Sequence, residues 1–218
     1  MATQTKENYL KTIYFLQLKN EDVTLTDLGR AMGVSKPTVN NMVKKLTNNG
    51  WLLYKKYKPI RLSKKGLKEA ALIVRKHRLT EMFLVQIMGF GWEEVHDIAE
   101  EMEHLKSEIF FDRMDDLLGH PTVDPHGSPI PDKNGVIRSK KYLLMSDLPV
   151  GSKSRLCAIG DSSVDLLTML NEKEIKLGTT FLISRIEAFD KTMTVDYGNK
   201  KSVPLSYEVC KRFLVEKV

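Results

Sequence analysis

Between Val95 and Glu108 the chain reads VHDIAEEMEHLKSE, with five carboxylates and two histidines in fourteen residues. On a helical wheel, at about 100° per residue, this stretch separates into three faces. Val95, Ile98, Ala99, Met102 and Leu105 form an apolar face, while Asp97, Glu101 and Glu108 point to water. His96, Glu100, Glu103 and His104 recur at i, i+4, i+7 and i+8 and share a third face that borders the apolar one. Carboxylates and imidazoles half-drawn toward a core need a partner, because burial alone disfavours their charged forms. A divalent cation is such a partner. The segment before it offers His77 and Glu81, again four residues apart and so on one helical face. Nitrogen and oxygen ligands without thiolate suit manganese or ferrous iron, and zinc stays open because affinity alone favours it. The plainer reading is a solvated acidic face, with His77 of RKHR making an ordinary hydrogen bond.

Catalytic patterns are weak by comparison. EEMEH has Glu100 where the inverted zinc-protease motif H-x-x-E-H needs its first histidine. Glu101 and His104 have the E-x-x-H spacing of di-iron bundles, which need a second such pair on another helix. The other pair here, Glu93 with His96, falls on the same predicted helix, roughly 93–118. There is no Gly-rich phosphate loop, G-x-S-x-G elbow or H-E-x-x-H. The chain is therefore expected not to be an enzyme, and a metal-dependent hydrolase is the weakest alternative.

The charge is unevenly placed. Residues 1–66 carry 13 Lys/Arg against 4 Asp/Glu, residues 67–120 carry 6 against 12, and residues 121–218 carry 15 against 12. A basic first part points to a polyanion partner. Its elements fit one. KENYLKTIYFLQL, residues 6–18, has helical spacing. Thr26 is read as the cap of the short helix DLGRAMG, ended by Gly33, and Ser35 as the cap of KPTVNNMVKKLTNN, with Pro37 in its first turn. Two helices joined at Gly33 and Val34 make a helix-turn-helix. WLLYKKYKPIRLS then reads as a hairpin, a wing, and Ser63 starts a long helix.

On residues 36–49, Val39, Met42, Val43 and Leu46 form the buried stripe, leaving Pro37, Asn41, Lys44, Lys45 and Asn48 on the opposite face. The residues expected to meet DNA are Thr26, Ser35, Lys36, Pro37, Thr38, Asn40, Asn41, Lys44 and Lys45, with Lys55, Lys56, Lys58 and Arg61 on the wing. Lysines hold phosphates, asparagines can pair with base edges, and Pro37 and Thr38 can touch thymine methyls. A winged-helix repressor answering a small organic ligand is the main alternative, with the acidic cluster merely solvated.

Residues 119–140, with GHPTVDPHGSPIPDKNG, read as a linker or ordered loop. Beyond it, TTFLISRIEAF and TMTVDYG are strand-like and SVDLLTMLNE is helical, which predicts a small strand-rich domain. The expected divisions are 1–66, 67–140 and 141–218. No apolar run is long enough to span a bilayer, no secretory leader is evident, and Cys157 and Cys210 lie far apart outside any Cys-x-x-Cys pair. These features predict a cytoplasmic protein with no membrane partner.

ENYLKTIY, VSKPTVNNMVKKL, RKHRLTE, VHDIAEEMEH and DPHGSPIP, in that order, resemble the diphtheria toxin repressor family, including its iron- and manganese-responsive branches. The resemblance covers nearly the whole chain. It implies a mainly α fold with small β parts: a winged helix-turn-helix domain, a helical metal-binding and dimerisation domain, and a C-terminal SH3-like β-barrel domain. It implies a first metal site of Asn8, Glu100, Glu103 and His104, and a second of His77 and Glu81, with His96 added in some branches. Where the linker resembles VDPHG, the resemblance adds Asp124, His126 and Asp161. Asn8 stands where the family often has methionine or aspartate, and Glu100 where iron-responsive members carry cysteine. The second departure favours Mn(II), with Fe(II) the other candidate. The resemblance further implies a repressor that binds palindromic operator DNA as a homodimer when metal-loaded, controls metal-ion homeostasis, and takes no small organic substrate. MFLVQIMGFGW and IFFDRM could supply the dimer contact or internal core, which periodicity does not separate.

Overall fold

The computed structural model describes residues 3–19, 22–138, 140–160 and 162–218. Its contacts divide the chain into two units: Met1–Thr80 with Asp97–Thr122 and Ile130–Arg138, and Glu81–His96 with Val123–Pro129 and Ser139–Val218.

The first unit begins with α1 (Thr3–Lys19), α2 (Leu25–Met32) and α3 (Lys36–Asn48). Thr24, not Thr26, caps α2: its hydroxyl accepts the Asp27 N–H, and the Asp27 carboxylate accepts the Thr24 N–H, a reciprocal capping box. Thr26 instead lies exposed within the helix. The sequence allows either threonine, but only Thr24 has an acidic residue three positions on. Gly33 ends α2 at φ 63°, the left-handed conformation glycine adopts without strain. Ser35 occupies the N-cap position of α3 but makes no side-chain cap bond, and its Oγ pairs with Thr38 Oγ1 at 2.9 Å. Val39, Val43 and Leu46 are fully buried against Leu10, Ile13, Leu28 and Ile60. The wing is present: β1 (Leu52–Leu53) and β2 (Arg61–Leu62) pair antiparallel, with Leu52 opposite Leu62.

The helix α4 (Lys64–Gln86) starts where Ser63 Oγ accepts the Gly66 N–H. The long helix expected over 93–118 is in fact two, α5 (Val95–Met102) and α6 (Glu108–Leu117). The break has a local cause. The Leu105 N–H reaches back only three residues, to Met102 O, and Ser107 turns extended so that its hydroxyl caps α6 at Phe110 N–H. Leu105, placed on the apolar face by the wheel, is exposed at 45% and gives nothing to bury by continuing the helix. A buried ion pair, Arg75 to Asp115 at 2.9 Å, ties α4 to α6, and Arg75 also donates to the Pro131 carbonyl.

In the second unit six antiparallel strands form one sheet: β3 (Leu143–Leu144), β4 (Lys153–Ile159), β5 (Thr180–Ile186), β6 (Met193–Tyr197), β7 (Lys200–Leu205) and β8 (Phe213–Lys217), in the order β3-β8-β4-β5-β6-β7. Two helices pack with it, α7 (Val164–Glu172) and α8 (Tyr207–Cys210), around Phe181, Phe213, Leu167 and Leu170. The four-residue α8 is too short for periodicity to reveal. Cys210 lies in this core, where burial pushes its thiol up to about 12, and both cysteines are free. The loop at 123–129 runs against β4 so closely that a Cβ on Gly127, whose φ is 86°, would sit 2.3 Å from Cys157 O. Only glycine fits there. Among the described residues no helix is long and apolar enough to cross a membrane.

Candidate metal centres and nucleic-acid interface

In the first unit, Glu103 is 0% exposed and lies in the turn that follows α5. Its two oxygens have different surroundings. Oε2 accepts from Lys11 Nζ at 2.7 Å and lies 2.7 Å from His77 Nδ1. Oε1 is buried and has no hydrogen-bond partner among the described residues. His104 Nε2 is 3.8 Å from that same Oε1. The other ring nitrogen, Nδ1, lies 2.7 Å from Glu7 Oε2. A carboxylate only accepts, so Nδ1 carries the proton, and in the neutral ring Nε2 is a lone pair. A carboxylate oxygen and an imidazole lone pair thus face each other 3.8 Å apart. Asn8 follows Glu7 on α1, and its Oδ1 is also buried without a partner among the described residues. Glu100 Oε1 accepts from Lys11 Nζ at 2.6 Å. Unpaired buried acceptors are costly, and a divalent cation beside the Lys11 ammonium would meet them. Ligand atoms of His77, Glu100 and Glu103 lie within 4.8 Å of one another, and such carboxylate and imidazole donors fit a divalent metal ion of intermediate hardness.

A second cluster lies in the second unit. Glu81, Asp124 and His126 are all buried, and each offers a ligand atom within 4.8 Å of the others. His126 Nε2 lies 2.9 Å from the Trp92 carbonyl oxygen, which can only accept. The proton is therefore on Nε2, and in the neutral ring Nδ1 turns its lone pair toward Glu81 Oε2 at 3.9 Å and Asp124 Oδ1 at 4.0 Å. The Asp124 carboxylate is held in place by the backbone N–H groups of His126 and Ser128, both at 2.9 Å. Trp92 stacks on the imidazole with ring centres 6.1 Å apart. Backing groups that fix a ring's orientation and tautomer are what metal-binding histidines use.

The structure therefore distributes the expected ligands differently from the wheel. Glu100, Glu103 and His104 stand with residues of α1, and Glu103 and His104 lie beyond the helix rather than on its face. His77 rests on Glu103. His96 belongs to the second unit, with a half-exposed side chain 3.5 Å from Glu81 Oε1. Asp161 lies outside the described residues. Glu7, which sequence reasoning passed over, and Lys11, which stands where a manganese branch of the resembled family has a ligating glutamate, touch the first cluster directly. They sit four apart on α1, on either side of Asn8.

The basic face is equally defined. Thr26, Ser35, Lys36, Pro37, Thr38, Asn41, Lys44 and Lys45 are exposed, and Asn40 is half-buried. Lys55 and Lys56 are exposed on the wing, next to Tyr57, which is 87% exposed. Between α3 and the wing runs a cleft of about 710 Å³ lined by Thr26, Lys36, Pro37, Asn40, Tyr54 and Lys56 among others.

Residues 1–60 match the family model "Iron dependent repressor, N-terminal DNA binding domain", and residues 63–132 match "Iron dependent repressor, metal binding and dimerisation domain". The iron-dependent repressor IdeR of Mycobacterium leprae is 29% identical over 226 aligned positions, covering 98% of this chain and 97% of the relative. The HTH-type transcriptional regulator MntR of Bacillus pumilus is 35% identical over 118 positions, covering 54% of this chain and 81% of the relative. A solved manganese-dependent transcriptional repressor, in complex with manganese, superposes with a TM-score of 0.87 at 28% identity, covering 98% of this chain and all of that one.

Proposed function

The chain belongs to the diphtheria toxin repressor family of metal-dependent transcriptional repressors, and from that premise we propose that it is a manganese-responsive repressor. It binds a palindromic operator as a homodimer when loaded with Mn(II), with Fe(II) the second candidate, and so controls metal-ion homeostasis. The members of this family are repressors, not enzymes.

One observation carries the reading: the buried, unpartnered Glu103 Oε1 facing the lone pair of His104, next to a helix of the DNA-binding module. Asn8, Glu100, Glu103 and His104 would hold the ion of the first centre, and Glu81, Asp124 and His126, with His96 and Asp161 as further candidates, that of the second. A divalent cation held there would supply positive charge to these lone pairs, which come from α1 and from the turn after α5. The rest is done by the chain. Glu7 keeps the His104 proton on Nδ1, and His77 holds the far oxygen of Glu103. The absence of thiolate and the preponderance of oxygen favour Mn(II) over softer ions.

Helix α3 offers Asn41 to base edges, and Lys44, Lys45, Lys55 and Lys56 offer their charges to phosphates. In a homodimer the two α3 helices must match half-sites about 34–36 Å apart. Ile109, Phe110 and Leu117 of α6 are exposed at 69%, 40% and 62%, an apolar face suited to a second copy of the chain. Metal can favour the operator-bound arrangement only by binding it more tightly. By linkage, operator then tightens metal binding by the same factor.

The test is operator binding followed by fluorescence anisotropy, with the apo-protein titrated with Mn(II), Fe(II), Zn(II) or no metal. Glu103→Gln is expected to keep the fold and lose the metal response. Equal operator affinity with and without metal, or a metal affinity that operator leaves unchanged, would defeat the proposal.

A further inference from the structure

The metal-centre reading of the first cluster leaves one residue without a role, and the inference rests on that reading. Lys11 is 8% exposed, and its ammonium lies 2.6 Å from Glu100 and 2.7 Å from Glu103. Lysine is rarely buried to this degree unless it is paired. Here its partners are the two carboxylates that the metal centre also needs. We propose that Lys11 sets the metal affinity of this centre: its ammonium is a tethered cation that competes for the charge of Glu100 and Glu103, so that metal is bound more weakly than the ligands alone would bind it.

The charges in the cluster make the case. Glu7, Glu100 and Glu103 supply three negative charges. His77 and His104 each reach a carboxylate through one ring nitrogen and need no charge to do so. The lysine is a permanent cation in direct contact with two of these carboxylates, Glu100 and Glu103. One ammonium and one divalent ion together balance the three carboxylates. Without the lysine the same divalent ion would leave a full negative charge over.

The geometry shows why both cations can be accommodated and why they oppose each other. Lys11 takes Oε2 of Glu103 and leaves Oε1 bare. A metal on Oε1 would therefore share this carboxylate with the ammonium rather than expel it. Two positive charges on one buried carboxylate repel strongly where the dielectric is low, and an oxygen pair already polarised by an ammonium is a poorer donor.

The inference separates Lys11 from a lysine that merely holds structure. Removal of a structural lysine lowers the stability of the metal-free protein and weakens, or leaves unaltered, the binding of metal. Removal of a tethered competitor lowers the stability of the metal-free protein and strengthens the binding of metal. The two effects have opposite signs.

The experiment uses the full-length protein carrying His126→Ala, which removes the second cluster, with Mn²⁺ titrated by calorimetry and metal-free unfolding followed by heat. Lys11→Met in this background is expected to lower the metal-free Tm and to tighten Mn²⁺ binding at least tenfold. Lys11→Arg, which keeps the charge, is expected to stay near the parent in both. Should Lys11→Met fail to fold, Lys11→Gln loses the charge, keeps a donor and carries the same expectation. Mn²⁺ binding no tighter than the parent's in a folded, uncharged variant overturns the role of Lys11 alone. Parent Mn²⁺ binding that Glu103→Gln leaves unchanged overturns the metal-centre reading and this inference with it.

Discussion

Glu103 shows how much one side chain can report. A carboxylate removed from water is unfavourable by several kcal/mol unless its lone pairs are met, and half of this one is unmet. That asymmetry, more than the number of acids nearby, distinguishes the cluster from a solvated acidic face such as Asp97 and Glu101, which are exposed. The same logic applies to Glu7, whose oxygen holds the His104 proton. Glu7→Gln keeps the size of the side chain but removes the charge that orients the ring. Outer-shell substitutions of this kind weaken metal binding roughly 10- to 100-fold. Mn²⁺ titration of Glu7→Gln should fall in that range, and an unchanged affinity would remove Glu7 from the centre. None of this could be read from the chain, because Glu7 and His104 are 97 positions apart and Lys11 and Glu100 are 89 apart. Residue type marked Glu103 and His104 as candidates; only folding shows which oxygen is bare.

Elements were legible where a periodic apolar stripe meets a cap. Val39, Val43 and Leu46 gave α3, and the fall of the apolar pattern around Lys58-Pro59 gave the wing. Legibility failed where a stripe continues past the end of its helix: Leu105 keeps the period, but the backbone has already turned at 103–107. It also failed between neighbouring candidates for one cap, where Thr24 and Thr26 differ only in what stands three residues on. The capping box makes a pH-dependent prediction. The hydroxyl and N–H of Thr24 hold the Asp27 carboxyl below its ordinary value of 3.8. Since the folded value is lowered, the stability contributed by Asp27 is present above its unfolded value and is lost as pH falls through the folded one. Thr24→Ala should therefore lower stability at neutral pH, and by less once Asp27 is protonated in both states. Urea unfolding at pH 7 and near pH 3 measures the difference. A pH-independent gap would place the effect elsewhere than in the carboxylate.

At the scale of the whole molecule, charge is segregated by task. The first 66 residues are basic and the following 54 acidic, which leaves most of the proposed metal ligands outside the segment that matches the DNA-binding family model. Composition showed that division at once. It could not show how the C-terminal sheet is ordered, because β8 enters between β3 and β4 and no local pattern announces a strand that returns from the end of the chain. Phosphate contacts release counterions, so operator affinity should fall steeply with salt, by a slope of about 0.9 per contact on logarithmic axes. Lys44→Ala should shallow that slope by about 0.9 for each protomer that loses a contact and should weaken all sequences alike. Asn41→Ala should leave the slope and relax the choice of sequence. Equal slopes for the lysine variant and the parent would mean that this face of α3 does not meet the backbone.

The break between α5 and α6 bears on time as well as on place. Glu103 and His104 lie on a turn stapled by single bonds, Glu103 N–H to Ala99 O and Leu105 N–H to Met102 O, not inside a continuing ladder. Loop connections rearrange in roughly nanoseconds to microseconds, whereas opening a helix interior is slower, and here Lys11, His77 and Glu7 hold the two side chains in place. A regulator has to forget as well as respond. By ending the helix just before two of the proposed ligands, the chain places them on a short connection, and under the proposed function the persistence of the signal would be governed by a loop.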